Sequence, residues 1–318
     1  MKFSILLIAS IFLTQSCHLA FGGGKDYACE QEEYLAFENG DLNDTMTVFY
    51  NATWNQKNRR LAGGGPVRFY AMGDAPYNAR EFANIPVQLA KLDKTADFLI
   101  HLGDMQDRRG QCRRYLYAQF SQLLKKAQIP TFIIPGDNDY HDCNNWRNGW
   151  SFWKETFIHF DQNWNTPFNV RYQAARQENF AFRHQGVLFV GIHTLHGRIK
   201  NQKEWNRLQN DNLQWCRNQL TNFAHGIGAV VIFSHAYTNK KQYPKFWEGL
   251  SKLGEDSGLP ILYLQGDAHK WLQSTPFRAK NILRTVVDRG GIADPVLVTV
   301  DPFSNQPFRF QRRPLTKG

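Results

Sequence analysis

Five short segments of this chain place a metal-binding side chain where an apolar run stops: Gly73-Asp74, Gly103-Asp104, Gly136-Asp137, Ser234-His235 and Gly266-Asp267-Ala268-His269. Carboxylate and imidazole are the side chains that hold hard cations and move protons near neutral pH. One such residue behind one glycine is an ordinary turn. A series of five, from Asp74 to His269, is a pattern. The runs in front of them, 67–72, 98–102, 131–135, 230–233 and 261–264, are apolar and rich in β-branched and aromatic residues. Strands buried on both faces of a parallel sheet read this way. Ligands of open α/β sheets bind outside the carboxyl ends of the strands. These side chains are therefore expected to converge on one crevice, with the chemistry of a dinuclear metal-dependent hydrolase.

Helical spacing of apolar residues between the strands predicts helices over 85–92, 115–124 and 205–220. In the last of these Trp205, Leu208, Leu213, Trp215, Cys216 and Leu220 share one face, a core face by composition. Phe180-Ala181-Phe182 and 187–192, joined by Arg183-His184-Gln185-Gly186, predict a hairpin, and 296–300 with 308–310 a second. Parallel βα units followed by antiparallel pieces point to an α/β fold: a four-layer αββα sandwich of two mixed sheets, with the metal site at the strand C-terminal ends.

The chain divides into 1–22, read as a signal peptide, 23–65, a polar segment ending in a Gly-rich linker, and 66–318, the catalytic domain. The basic start and the apolar 3–13 run are too short to span a bilayer and are followed by small residues, as processing requires. Secretion is the expectation. Sequons at Asn43 and Asn51 agree with it, as do the cysteines. Once Cys17 leaves with the leader, Cys29, Cys112, Cys143 and Cys216 remain, an even set for an oxidising compartment. No pair has the close spacing of a cysteine zinc site. Cys112 and Cys143 each follow shortly behind a metal-bearing strand end and are the expected disulfide, which leaves Cys29 for Cys216. The formal charge of +10 favours an anionic partner. A small phosphate ester is expected, with nucleic acid less favoured because the basic pairs Arg108-Arg109, Arg113-Arg114 and Arg312-Arg313 are dispersed.

The order Gly-Asp, Gly-Asp, Gly-x-x-acid, a lone His at a strand end, then Gly-x-x-His resembles the calcineurin-like metallophosphoesterase family, which includes the purple acid phosphatases. The resemblance covers roughly Val67 to Phe310. It implies two metal ions bridged by one carboxylate that clamp a phosphoryl group and generate hydroxide at neutral pH. Carried over residue by residue, Asp74 and His269 would bind the first metal and Asp104 would bridge. Asp137, His235 and Asp267 would bind the second. Asp267 replaces a family histidine. Asp137 falls on the position of a family asparagine; the alternative register makes Asn138 the ligand, but Asp137 keeps Gly136 and Asp139 in place.

Other departures change the expected chemistry. The family's Asp-x-His is here Asp74-Ala75-Pro76, and proline cannot ligate. The tyrosine that purple acid phosphatases carry three residues after the bridging Asp is here Asp107, so their chromophore is not expected. Asn138 stands where the family has a proton-donating histidine. Replacement donors are His141, His193 and His196, while Arg108 and Arg109 are candidates to bind phosphate oxygens. Four carboxylates and two imidazoles form a harder donor set, favouring Fe, Mn, Mg or Ca over Zn and an alkaline optimum. A phosphomonoesterase is the leading expectation. A phosphodiesterase or nuclease, and a phosphate-ester or glycan-binding protein without turnover, are the rivals.

Overall fold

The computed structural model describes residues 64–108, 111–197, 199–237 and 241–312. The leader, both sequons, Cys17, Cys29, Arg109 and Arg313 lie outside the described residues.

Two mixed sheets pack face to face. The first has the order β12-β11-β1-β2-β3, in which β1 (Val67–Met72), β2 (Phe98–His101) and β3 (Thr131–Ile133) run parallel. Its antiparallel edge is β11 (Val296–Val300) with β12 (Phe308–Gln311). The second sheet has the order β4-β5-β6-β7-β8-β10-β9. There β6 (Val187–Gly191), β7 (Ala229–Ser234), β8 (Ile261–Gln265) and β10 (Ile282–Val286) are parallel. β4 (Arg171–Gln173), β5 (Arg176–His184) and β9 (Leu272–Ser274) are antiparallel to their neighbours. Both predicted hairpins form. The β5–β6 turn has Gln185 and Gly186 at positive φ, the two-residue geometry whose twist suits antiparallel strands.

The alternation of side chains explains the layers. In β1, Phe69 and Ala71 enter the core between the sheets, whereas Tyr70 and Met72 meet the helices. The inter-sheet core is largely phenylalanine. Phe98 stacks on Phe69 at 4.8 Å between centroids and meets Phe132, Phe182 and Phe189 edge-on. Burying each such ring is worth about 1.5–3 kcal/mol. Helices α1 (Ala79–Ala90), α2 (Arg114–Leu124) and α3 (Trp146–Phe157) cover the outer face of the first sheet. Helices α4 (Gln202–Asn222) and α5 (Pro244–Ser257) cover that of the second. The result is the αββα order the sequence predicts.

Three helices match the apolar spacing, and two lie outside it. α5 begins with Pro244 in its first turn and ends at Gly258 with φ 61°, both standard boundary residues. α3 carries Asn148 and Gly149, poor helix formers. The reason is contact: a Cβ at Gly149 would come within 2.9 Å of the Cys112 sulfur. Cys112 and Cys143 form the expected disulfide, with Cα atoms 6.0 Å apart, and tie the loops after β2 and β3 together. Cys216 is buried in α4; its expected partner, Cys29, lies outside the described residues. Among the described residues no helix is long and apolar enough to cross a membrane.

Candidate metal centre

The turns that present the cluster are conformationally unusual. Asp74, Asp104, Asp267 and His269 all have φ between 55° and 71°, a left-handed backbone that costs a non-glycine residue about 1–2 kcal/mol. Glycines make room for these turns. A Cβ at Gly136 would fall 2.1 Å from Asp104 Oδ1, and one at Gly103 (φ 89°) 2.6 Å from the Gly136 nitrogen. The Gly-Asp pairs legible in the sequence therefore reflect close approach of the β2 and β3 loops. Asp139, fully buried, locks that approach by accepting from the backbone nitrogens of Gly136, Asp104 and Met105 at 2.8, 3.2 and 2.7 Å.

Asp104 lies at the centre, and its two oxygens face different neighbours. Oδ1 is 3.3 Å from His235 Nε2, which is itself 3.0 Å from Asp137 Oδ1. Oδ2 accepts from the Tyr77 hydroxyl at 2.9 Å. That hydroxyl is also 3.2 Å from His269 Nε2 and 3.4 Å from Asp74 Oδ1. Two sets of side chains have atoms close enough to share an ion: Asp74 with Asp104 and His235, and Asp137 with His235 and Asp267. Five of the six sequence-predicted ligands fall in these two sets; the sixth, His269, lies beside them with Nε2 3.6 Å from Asp74 Oδ1. His235 Nδ1 donates to the Leu102 carbonyl at 2.7 Å, which aims Nε2 at the carboxylates. A metal-binding histidine is oriented in this way by its second nitrogen.

The cluster carries more buried negative charge than its own residues balance. Burial pushes Asp74 up to about 7; His235 opposes the rise, and Asp267 and Asp137 add to it. Asp104 is driven well above the carboxylate range by burial, then by Asp137, Asp139 and Asp74, against the pull of His235. Burial would lower His235, but Asp104 and Asp137 outweigh it and hold the imidazole well above its usual value. Burial also raises Asp139, to about 6, despite its three backbone donors. Asp267 goes the other way: burial is overcome by the His196 hydrogen bond and the charge of His235, and it lies at about 2. A dry nest of oxygens with excess negative charge and oriented imidazoles fits divalent or trivalent cations.

The proposed proton donors separate. His196 joins the cluster, with Nδ1 3.2 Å from Asp267 Oδ2 and its side chain 42% exposed. His193 does not. It is buried, with Nδ1 3.0 Å from Glu178 and Nε2 3.0 Å from the Tyr140 hydroxyl, and it stacks on Trp150. Both nitrogens are committed, so it has none left for a substrate. His141 is buried beside Asp142, at 3.2 Å, and touches no candidate ligand. Asn138 turns its amide onto Asp104 Oδ2, while its backbone N–H donates to Oδ1 at 3.0 Å. It steadies the central carboxylate rather than facing outward. Arg108 is exposed. His101, inside β2, lies 3.0 Å from the Ala75 carbonyl and supports the first loop from below.

Sequence reasoning missed Tyr77, Glu81 and Arg289. Glu81, in the first turn of α1, accepts from the Tyr77 backbone N–H at 2.6 Å and pairs with Arg289. Arg289 lies over the Tyr77 ring at 4.5 Å. The available signal was Asn78-x-x-Glu81, a helix-start pattern directly after Tyr77; Asn78 Oδ1 does cap the Glu81 nitrogen at 3.0 Å.

A four-layer α/β sandwich with acidic residues and histidines at its strand ends defines a metal-dependent esterase class. Residues 67–272 match the model of the calcineurin-like phosphoesterases, and the chain belongs to that family. Among solved structures it is similar to PhoD, with 13% identity and a TM-score of 0.52 over 76% of this chain and 65% of that one. It is also similar to the purple acid phosphatase PPD1 of yellow lupin (Lupinus luteus), at 12% identity and TM-score 0.45 over 79% and 54% of the two chains. A 5′-nucleotidase from Candida albicans aligns at 12% identity and TM-score 0.49 over 78% and 52%. The chain therefore spans just under two thirds of PhoD and about half of the other two. Likeness at such identities concerns the fold alone. No curated protein matches the chain.

Proposed function

We propose that this protein is a secreted phosphomonoesterase that works with two metal ions. The observation that carries this reading is the division of Asp104, whose Oδ1 faces His235 and whose Oδ2 faces Tyr77 beside Asp74 and His269. A carboxylate with an oxygen toward each of two ligand sets is suited to join two cations. Asp74, His269 and Asp104 would hold one ion, and Asp137, His235, Asp267 and Asp104 the other. Bound there, the ions would supply Lewis-acid polarisation of phosphoryl oxygens and acidify water. The chain itself orients these groups. Asn138 and Asp139 fix Asp104, and Leu102 fixes His235.

His196 supplies the proton for the leaving oxygen in this reading. It is the donor candidate that touches the cluster, and its Nε2 makes no hydrogen bond among the described residues. The Cys112–Cys143 disulfide supports an oxidising compartment and hence export.

Metal analysis of the purified protein, alongside aryl and alkyl monoesters and a diester panel across pH, tests the reading. Two equivalents of metal per chain and a preference for monoesters are expected. His196→Gln should slow alkyl esters by about 10²-fold or more and aryl esters much less, because a good leaving group needs little help from an acid. A preference for diesters would select a nuclease instead. Bound metal with no turnover on any ester would select a binding protein.

A further inference from the structure

Tyr77 has no place in the ligand set carried over from the family, yet its hydroxyl sits among three of that set's members. We propose that Tyr77, from the first motif, is a direct oxygen ligand of the first metal, taking the coordination place left by the missing Asp-x-His histidine. The inference rests on the two-metal reading above and adds a residue to it.

Geometry carries the argument. Donor atoms around one cation at about 2.0–2.2 Å are separated by about 3.0 Å in an octahedron and about 3.4 Å in a tetrahedron. The Tyr77 oxygen lies 2.9 Å from Asp104 Oδ2, 3.2 Å from His269 Nε2 and 3.4 Å from Asp74 Oδ1. His269 Nε2 is 3.6 Å from Asp74 Oδ1. These are separations expected of neighbouring ligands. They are too long for an oxygen standing at the ion's own position.

Three contacts hold the residue in place, as a structural ligand requires. Its backbone N–H is fixed by Glu81 at 2.6 Å, its face lies under the Arg289 guanidinium at 4.5 Å, and its edge meets the His269 ring at 5.4 Å between centroids. Glu81 pairs with Arg289, so one carboxylate braces both the main chain and the ring cover. A tyrosine that merely filled space beside a metal site would not need its hydroxyl aimed at three carboxylate and imidazole atoms. The chemistry also balances: the cation displaces the phenolic proton to solvent, and the oxygen–metal bond replaces the oxygen–hydrogen bond. This position lies in the loop after β1. The purple acid phosphatase tyrosine follows the bridging Asp, where this chain has Asp107. A tyrosinate here would give a ferric chromophore from a position other than the one at which the sequence lacks it.

The test uses the full-length protein stripped of metal and titrated with Zn²⁺, then separately loaded with Fe³⁺. Wild type should show a tyrosinate difference spectrum in the near ultraviolet with Zn²⁺ and a broad visible charge-transfer band with Fe³⁺. Tyr77→Phe keeps the ring between Arg289 and His269 and removes only the oxygen. It should lose both signals and weaken one of two metal equivalents by about 10²-fold, leaving the other in place. Glu81→Gln, which loosens the brace and leaves the oxygen, should retain the signals with about 10-fold weaker binding. Two metals bound in wild type without either spectral signal would overturn the inference and leave the two-metal reading intact, as would signals that survive in Tyr77→Phe. Failure of wild type to bind metal would instead remove the reading beneath it.

Discussion

Two clusters of charged side chains in this molecule differ in kind electrostatically. At the strand ends Asp74, Asp104, Asp137, Asp139 and Asp267 surround one buried imidazole, His235, and the carboxyls of Asp74, Asp104 and Asp139 are held above their ordinary range. Beside β5, Arg176 meets Glu204 and Asp211 at 2.8 Å each and Glu178 at 3.8 Å, and Glu178 meets His193. There the balance is internal. Burial alone would raise Glu178, but His193 and Arg176 outweigh it, and its carboxyl lies below its ordinary value. Arg176 likewise stays charged against the effect of burial. A buried cluster that neutralises itself is scaffolding. One that cannot do so is a place for an external cation. The distinction also explains why His193 and His196, three residues apart, have different fates: one is absorbed into the balanced cluster and the other reaches the unbalanced one.

The largest effect that would break this comparison is expected at Asp104. Asp104→Asn should lower kcat/KM by about 10³-fold or more, the scale of removing a group that organises charge in the transition state. Metal content, measured on the same preparation, should fall with it. Near-normal turnover with two metals retained would remove the central carboxylate from the site.

Arg176→Met should affect stability, with little effect on chemistry. Removing Arg176 leaves buried Glu178 with His193 alone, while Glu204 and Asp211, 49% and 26% exposed, can turn to water; the cost is about 1–3 kcal/mol. Denaturant unfolding should show that loss, while kcat per folded molecule stays within a few-fold of wild type. A loss of activity larger than the loss of folded protein would mean that the two clusters are coupled.

Metal removal sharpens the comparison through pH. Burial holds the Asp74 carboxyl at about 7, against an ordinary 3.8, so between these values the folded state binds the extra proton. Stability of the metal-free protein should therefore rise as pH falls through that window. His235, raised well above 6.5, extends the loss of stability to higher pH. In chelator, Tm should be several degrees higher at pH 6 than at pH 8, and saturating metal should flatten or reverse the difference. An unchanged Tm in chelator would show that the cluster is not under strain.

The effect confined to acid concerns His101. Burial holds its imidazole down at about 3, against an ordinary 6.5, despite its bond to Ala75 and with His235 adding to the effect. Here the unfolded state binds the extra proton, so the contribution is present above pH 6.5 and is lost as pH falls toward 3. His101→Gln should change the pH dependence of unfolding free energy in that interval by about 1.4 kcal/mol per pH unit, making stability at low pH relatively greater. An identical slope in the two proteins would show that this histidine is already charged in the fold.

What the sequence determined by itself is what short-range patterning encodes. Strands buried on both faces must be apolar throughout, so β1, β2, β7 and β8 were legible, and with them the residues that follow their last turn. Glycines before Asp104 and Asp137 were legible because two loops that nearly touch admit no side chain. The helices α3 and α5 were not recognised, and in α3 contact with the disulfide overrides propensity at Gly149. Tertiary structure alone decided which histidine of 193 and 196 reaches the cluster, that Asn138 turns inward onto Asp104, and that Tyr77 faces His269 across 192 residues of chain. Each of these depends on where a left-handed turn or a loop directs one side chain relative to residues remote in sequence. Periodicity carries no information about that direction.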